Sequence, residues 1–262
     1  MLAVLAASVV PAGAVTRGGE LDGDDHSYVG LMVATIGGAP AWRCSGALIS
    51  PTVYVTAGHC TFGADGAELW FASDLEPDPA GDHNYPFTGE VSGTPYASPD
   101  YIDAAFWYAD VGVVVLDEPV DLDEYAGLAD VGAVDGLAGG RKRANIDAVG
   151  YGLQKIIANS QGPGDKMYQD DKTRYQATLM LVNTRGVAGI GPINPDRSFT
   201  MSGDAKHGGT CFGDSGGPIL ISETNQIVGV NSFGMNGNCA GIGGAYRVDS
   251  TDVQGWINSF SE

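Results

Sequence analysis

Positively charged side chains are scarce in this chain. Thirteen Lys and Arg stand against 32 Asp and Glu in 262 residues, a formal charge of −19 at pH 7. A surface of that sign repels phosphate backbones, which argues against general nucleic-acid binding. It also disfavours anionic membrane surfaces. The acidity is not a mark of disorder, because the acidic residues are scattered and apolar runs lie between them. It reads as a solubilising coat. No apolar run approaches the ~20 residues that a membrane-spanning helix needs. No fixed-period repeat is present, which disfavours propellers and solenoids. Cysteine is limited to four residues with no C-x-x-C spacing, so a zinc site is not expected.

Glycine, by contrast, is abundant: 40 residues of 262, about twice the usual share of about 7%. With 13 prolines it points to many turns and short strands. The length allows one large domain or two small ones. Such a chain buries roughly 70–75% of its unfolded surface and needs no staple to fold.

Residues 1–14 read MLAVLAASVVPAGA. The short apolar run followed by Ala12-Gly13-Ala14 fits a secretory signal peptide with an A-x-A cleavage site. No Lys or Arg precedes the run, as one would in a typical signal. The four cysteines suit an exported protein and could pair in three ways.

Strand-like runs rich in Val and Ile recur between Gly, Pro, Asn and Asp. They cover Tyr28–Thr35, Trp42–Ser50, Val53–Thr56, Glu68–Ala72, Val111–Leu116, Ile146–Gly150, Gln176–Asn183, Ser198–Ser202, Pro218–Ser222, Ile227–Ser232 and a short Tyr246–Val248. Ala57–Cys60 fits a short turn. Helical periodicity is confined to Thr251–Phe260, where Ser250 is placed to cap and Val253, Trp256, Ile257 and Phe260 form one stripe. Surface loops are expected at Ser73–Asn84, Gln154–Thr173 and Gly189–Arg197. Many strands and little helix predict an all-β sandwich or barrel.

Three short segments carry chemistry. In Gly213-Asp214-Ser215-Gly216-Gly217-Pro218, glycines let the backbone turn sharply around one serine and leave its hydroxyl bare. The N–H groups of Gly213 and Ser215 can then converge on one point, as a tetrahedral oxyanion requires. A serine needs a base within hydrogen-bond reach to act as a nucleophile. Val55-Thr56-Ala57-Gly58-His59-Cys60 supplies one. Asp110 opens the buried run Val111–Leu116 and is placed to orient the imidazole and stabilise its cation. Asp103 is the rival acid, but an aromatic stretch follows it rather than a Val run. His26, His83 and His207 lie in polar or Gly-rich stretches, where a solvated histidine is the default.

TAGHC, the DVGVVVL run and GDSGGP, in this order, resemble the trypsin/chymotrypsin family of serine endopeptidases. The likeness covers most of the chain from Val15 onward. It implies two six-stranded antiparallel β-barrels, roughly residues 28–130 and 140–248, and a C-terminal helix over 250–260. The active site would lie in the cleft between the barrels. Carried over residue by residue, His59 is the general base, Asp110 the orienting acid and Ser215 the nucleophile. Gly213 and Ser215 form the oxyanion hole. Ser232-Phe233-Gly234 resembles the strand that pairs with the substrate backbone, with Phe in place of the family's Trp as an aromatic wall. The resemblance also implies disulfides Cys44–Cys60 and Cys211–Cys239. Other disulfides common in animal members are absent, which points to a microbial relative.

The resemblance carries further expectations. A freed α-amino group pairs with the acid before the serine, here Asp214. Val15-Thr16-Arg17-Gly18 is the nearest match to the usual amino end, so signal removal is expected to free Val15, with cleavage after Arg17 as the rival. The pocket floor lies six residues before the serine, at Gly209, where trypsin-type members carry Asp. With Thr210 beside it, and with Gly234 and Gly243 or Gly244 in the walls, this predicts an open neutral pocket. Apolar or aromatic residues before the scissile bond (the P1 position) rank first, then basic ones if Asp204 swings in, then acidic ones if Lys206 and His207 face the pocket. The acidic loop with Asp74, Glu76, Asp78 and Asp82 is a candidate for calcium, with a solvated loop as the stronger reading. The partners expected are polypeptide substrates, for a secreted monomer that needs no cofactor. The alternatives are basic P1 specificity, an esterase with little peptidase activity, and a non-catalytic binding module on the same scaffold.

Overall fold

The computed structural model describes residues 19–76, 83–138, 144–158, 166–184, 197–203, 208–235 and 237–261. The expected signal peptide, Val15, Arg17, Asp78, Asp82, Asp204, Lys206, His207 and the loop 189–196 lie outside them.

The first half contains β1 (Glu20–Leu21), β2 (Val29–Ile36), β3 (Ala39–Leu48), β4 (Val53–Thr56), α1 (Gly58–Thr61), β5 (Gly66–Trp70), β6 (Val91–Ala97), a 3-10 turn at Asp103–Tyr108, and β7 (Gly112–Leu116). Next come β8 (Gly127–Leu128), α2 (Ala133–Ala138), β9 (Asn145–Gly150), β10 (Lys155–Ala158), β11 (Lys166–Gln169), β12 (Tyr175–Asn183) and β13 (Ser198–Gly203). The chain closes with β14 (Pro218–Ile221), β15 (Gln226–Gly234), β16 (Gly241–Arg247) and α3 (Thr251–Asn258).

Strands β2-β3-β4-β7-β6-β5 close into one barrel. Strands β12-β13-β16-β15-β14-β9 form a second, closed by the β12–β9 pairing, with β1 and β8 as short additions. The fold is the chymotrypsin fold that the three motifs implied.

Apolar burial follows the barrels. One core gathers Leu31, Leu48, Val55, Leu69, Trp70, Val113 and Val114 and runs on through Val149, Tyr151, Val230 and Tyr246 between the barrels. The second holds Ile146, Leu179, Phe199, Ile219 and Val228. Each fully buried residue of this size contributes about 1.5–3 kcal/mol against exposure.

Some expected elements differ in detail. β6 was not legible, because Gly93 and Pro95 interrupt its pattern. Pro95 is tolerated because β5 pairs only as far as Gly93, so the missing N–H breaks no β5 bond. The expected loop 154–173 holds the β10–β11 hairpin. α3 stops at Asn258, and Ser250 occupies its N-cap position without a side-chain cap, its Oγ accepting from Arg197 Nη1 instead. Val253 and Ile257 are buried, while the Trp256 and Phe260 rings meet edge to face at 5.3 Å. Among the described residues no helix is long and apolar enough to cross a membrane.

Candidate active site

His59 and Asp110 come from the first barrel. β4 delivers the chain into α1, which carries His59 on its short turn. The 3-10 turn delivers Asp110 to the mouth of β7. Gly58 is required here, since a Cβ would lie 2.7 Å from the Tyr101 ring.

Asp110 is fully buried, and three donors converge on it. The His59 backbone N–H donates to Oδ1 at 2.8 Å, His59 Nδ1 lies 2.9 Å from Oδ2, and Ser232 Oγ–H donates to Oδ2 at 2.5 Å. The His59 side chain is 26% exposed. Burial disfavours its cation, but the charge and the hydrogen bond of Asp110 outweigh that and hold its pKa above the ordinary 6.5. Asp103 instead sits exposed at the cleft mouth, 3.4 Å from the Tyr101 hydroxyl.

Ser215 comes from the second barrel, on a turn tied at both ends. Asp214 N–H donates to Cys211 O, Gly217 N–H to Asp214 O, and Gly216 N–H to Asn231 O on β15. Gly213 has φ +98°, and Gly216 has φ +78°, both in the region that side chains disfavour. Among the described residues no acceptor is bonded to the N–H of Gly213 or of Ser215. The Arg43 guanidinium presses on the same turn, since a Cβ at Gly213 would lie 2.8 Å from its Nη2. Arg43 is itself paired with Asp170 at 2.7 Å.

His59, Ser215, Ser232, Phe233, Gly234 and Thr210 line one cleft of about 670 Å³, with Tyr101, Phe106 and an exposed Phe212 on its rim. Among the described residues no hydrogen bond joins His59 to Ser215, a contact that often tightens only with substrate. Gly209 lies apart from this cleft. It lines an adjoining recess of about 10 Å³ with Met201, Thr210, Gly234 and Gly243. Of the two candidate wall glycines it is Gly243, paired with Gly234, that lines this recess, whereas Gly244 lies under Phe233: a Cβ there would lie 2.1 Å from Cζ of its ring. The ring of Phe233 fills the space that the glycine leaves.

Asp214 is buried. It accepts N–H bonds from Gly152 at 2.7 Å and Cys211 at 2.8 Å. Burial nevertheless pushes its pKa up to about 6, against these bonds and the charge of Arg43. Val15, its expected partner, lies outside the described residues. Both expected disulfides are formed, Cys44–Cys60 beside His59 and Cys211–Cys239 beside the cleft. The metal-ligand group found among the described residues is Cys44, His59 and Cys60. Its two sulfurs are bonded to each other, so it offers no metal site. In the acidic loop, Asp74 accepts from Thr173 Oγ1 and Glu76 from Lys172 N–H. Both carboxylates are thus held by the segment Lys172-Thr173.

Sequence reasoning missed three polar residues. Ser45, fully buried on β3, receives no special mark in the motif reading. Its N–H donates to Ser215 O at 2.8 Å and its Oγ–H to Gly213 O at 2.8 Å. Arg174 is 1% exposed and donates to Asp22 Oδ2 at 2.7 Å and to the carbonyls of Val29, Phe71 and Gly23. His26, expected in solvent, holds Asp22 Oδ1 through Nδ1 at 2.5 Å. Only the position of Ser45 directly after Cys44 could have drawn notice.

A sequence model of the family described as Trypsin matches residues 22–257. The chain is similar to the venom serine protease Bi-VSP of Bombus ignitus, 28% identical over 230 residues that make up 84% of this chain and 59% of that protein. It therefore spans less than two thirds of that relative. It is also similar to a trypsin of Saccharopolyspora erythraea, 27% identical over 236 residues, 88% of this chain and 92% of the other. Among solved structures, HL collagenase superposes with a TM-score of 0.69 at 17% identity, over 95% of this chain and 98% of that one. At that identity the likeness speaks for the fold.

Proposed function

Because the chain belongs to the trypsin family of serine proteases, we propose that it is a secreted serine endopeptidase acting through Ser215, His59 and Asp110. The observation that carries this reading is the wrapped carboxylate: Asp110 takes Nδ1 of His59 at 2.9 Å in the cleft that also holds Ser215.

With Nδ1 committed to Asp110, the other ring nitrogen is the base. Ser215 Oγ attacks the scissile carbonyl while His59 takes its proton. The N–H groups of Gly213 and Ser215 receive the oxyanion, and removing one such donor costs about 10²–10³ in rate. His59 then protonates the leaving amine, and water, activated by the same nitrogen, cleaves the acyl-enzyme. Secretion is supported by the leader-like residues 1–14 and by two disulfides. A neutral P1 residue is favoured over a basic one, because Gly209 stands where trypsin-type members carry Asp.

The test is a peptide-library cleavage profile of the processed protein beside Ser215→Ala, with an organophosphonate probe for the serine. Labelling of Ser215 and cleavage that vanishes in the variant are expected. A correctly folded, processed protein that neither labels nor cleaves would overturn the reading in favour of a binding module. Labelling with ester turnover but no peptide cleavage would favour an esterase.

A further inference from the structure

We propose that Arg43 is a positioning residue for the reaction: paired with Asp170, it keeps the Phe212–Gly213 peptide turned so that the Gly213 N–H is open to the oxyanion. This rests on the endopeptidase reading and adds to it a residue outside the triad.

The peptide is held by its carbonyl. Phe212 O accepts from Leu153 N–H at 2.8 Å. The peptide is trans, so its N–H points opposite to its C=O. The Leu153 bond therefore turns the Gly213 N–H away from residue 153. Ser45 Oγ–H fixes the next peptide through Gly213 O, which leaves the Phe212–Gly213 peptide to be fixed by Leu153. Glycine takes either sign of φ at little cost, so Gly213 itself does not resist a reversal. The orientation depends on Leu153 staying in place.

Leu153 belongs to a brace. Gln154 N–H donates to Gln169 O at 3.0 Å. The buried Gln154 side chain donates to Asp171 O at 2.8 Å and accepts from Asp171 N–H at 2.7 Å. These bonds join residues 153–154 to the foot of the β10–β11 hairpin. Arg43 joins that foot to the first barrel and to the Ser215 turn. Its guanidinium pairs with Asp170 at 2.7 Å, and its Nη2 and Nε lie 2.8 and 2.9 Å from where a Cβ of Gly213 would stand. Arg43 and Ser45 are two apart on β3 and so share one face of it. Lys172 also pairs with Asp170, but from the same foot. Residues 172–174 are tied separately to residues 73–76. Loss of the Arg43 pair should therefore loosen the foot without detaching the barrels.

Without Arg43, the Leu153 N–H loses its fixed place. Phe212 O can then swing into the space that the oxyanion needs. A formed hole that falls to about 1–10% of molecules lowers kcat about 10–100-fold. KM stays nearly constant, because the lost interaction is made in the transition state.

The experiment measures kcat and KM on a peptide or ester substrate for wild type, Arg43→Gln, Asp170→Asn and the double variant. Rates are normalised to the sites labelled by an organophosphonate. Inhibition constants are measured for a peptide aldehyde, which forms an oxyanion on Ser215, and for the matching peptide alcohol, which forms none. Arg43→Gln is expected to lose about 10–100-fold in kcat, with KM within about threefold. Its aldehyde affinity is expected to fall in parallel and its alcohol affinity to hold. Asp170→Asn is expected to lose in the same direction, and the double variant no more than Arg43→Gln, because both break one pair. A kcat within about threefold of wild type in Arg43→Gln overturns the proposal, as does equal weakening of aldehyde and alcohol. Should Arg43→Gln fail to fold, an unchanged kcat in Asp170→Asn overturns it instead. A folded, processed wild type that neither labels nor turns over substrate sinks the endopeptidase reading, and this proposal with it. An active wild type whose variants keep their kcat sinks this proposal alone.

Discussion

Asp110→Asn separates geometry from electrostatics at the candidate site. The carboxylate now accepts three bonds with two oxygens in a site closed to water: His59 N–H at 2.8 Å, His59 Nδ1 at 2.9 Å and Ser232 Oγ at 2.5 Å. An asparagine has the same shape but one acceptor oxygen and one donor NH₂. It cannot satisfy all three donors. If its NH₂ faces His59, Nδ1 must become the acceptor, and the ring proton moves to the nitrogen that should be the base. A wrong tautomer of this kind lowers kcat by ~10⁴, or about 5.5 kcal/mol of barrier.

The pH dependence gives an independent check on the same substitution. In wild type the pKa of His59 stands above 6.5, because the charge of Asp110 outweighs burial. The base must be neutral to act, so activity should rise with pH through a midpoint above 6.5. With the charge removed, burial alone remains and the His59 midpoint falls below 6.5. Folding should survive, because the loss is one set of charge-assisted bonds worth about 1.5–3 kcal/mol. The assay is kcat/KM over roughly pH 5 to pH 9, with an NMR titration of the His59 ring. A loss below about 100-fold, or an unmoved histidine titration, would refute the assignment of Asp110.

Gly216→Ala should disrupt folding locally as well as activity. Its Cβ would sit 2.0 Å from Thr56 Oγ1 and 2.5 Å from Ser45 O at φ +78°. With the left-handed penalty of about 1–2 kcal/mol added to the clash, Tm should fall by roughly 8 °C or more; a change under about 2 °C in a thermal melt contradicts this. Arg174→Ala should cost about 3–5 kcal/mol in urea unfolding, since it leaves buried Asp22 without its cation. Burial opposes the charge of Asp22, but His26 and Arg174 prevail and hold its pKa below 3.8. Its contribution is therefore present above that pH and lost as pH falls through the lowered value. The gap between wild type and Arg174→Ala should shrink in acid, and a gap constant down to about pH 2 would speak against the pair.

What was legible in the sequence was local. The turn around Ser215 needs Gly213 and Gly216 at positive φ on either side of it, so its requirement is written within a few neighbouring residues. The Val-rich runs of β4 and β7 announce themselves because both are buried almost throughout. What was not legible depends on partners far along the chain. Ser45 and Gly213 are 168 residues apart, and nothing near Ser45 signals the bond. The closure of Gly244 by Phe233 depends on a strand register and a bulge, which composition does not encode. His26 looked solvated because its neighbours are polar, yet the polar neighbour Asp22 belongs to a buried ion pair with Arg174.

These long-range contacts also explain why a site divided between two barrels can hold one geometry. His59 and Asp110 move with the first barrel and Ser215 with the second, so any slip between barrels separates Ser215 from His59. Apolar packing alone resists such a slip weakly, because dispersion contacts have little direction. The seam is instead pinned by directed bonds. Ser45 on the first barrel holds the carbonyls of Ser215 and Gly213, accepts from Tyr151 N–H, and has its own carbonyl held by Thr56 Oγ. Ser232 on the second barrel reaches back to Asp110 on the first. Arg174, entering β12, grips the Val29 and Phe71 carbonyls of the first barrel. Such bonds inside a low-dielectric seam are costly to break, since each would leave an unpaired buried group at about 1–3 kcal/mol. The bare Cα of Gly216 lets the Ser215 turn approach the Thr56 strand closely enough for those bonds to form. The glycine beside Ser215 thus serves two ends, turning the chain and bringing the two barrels into register.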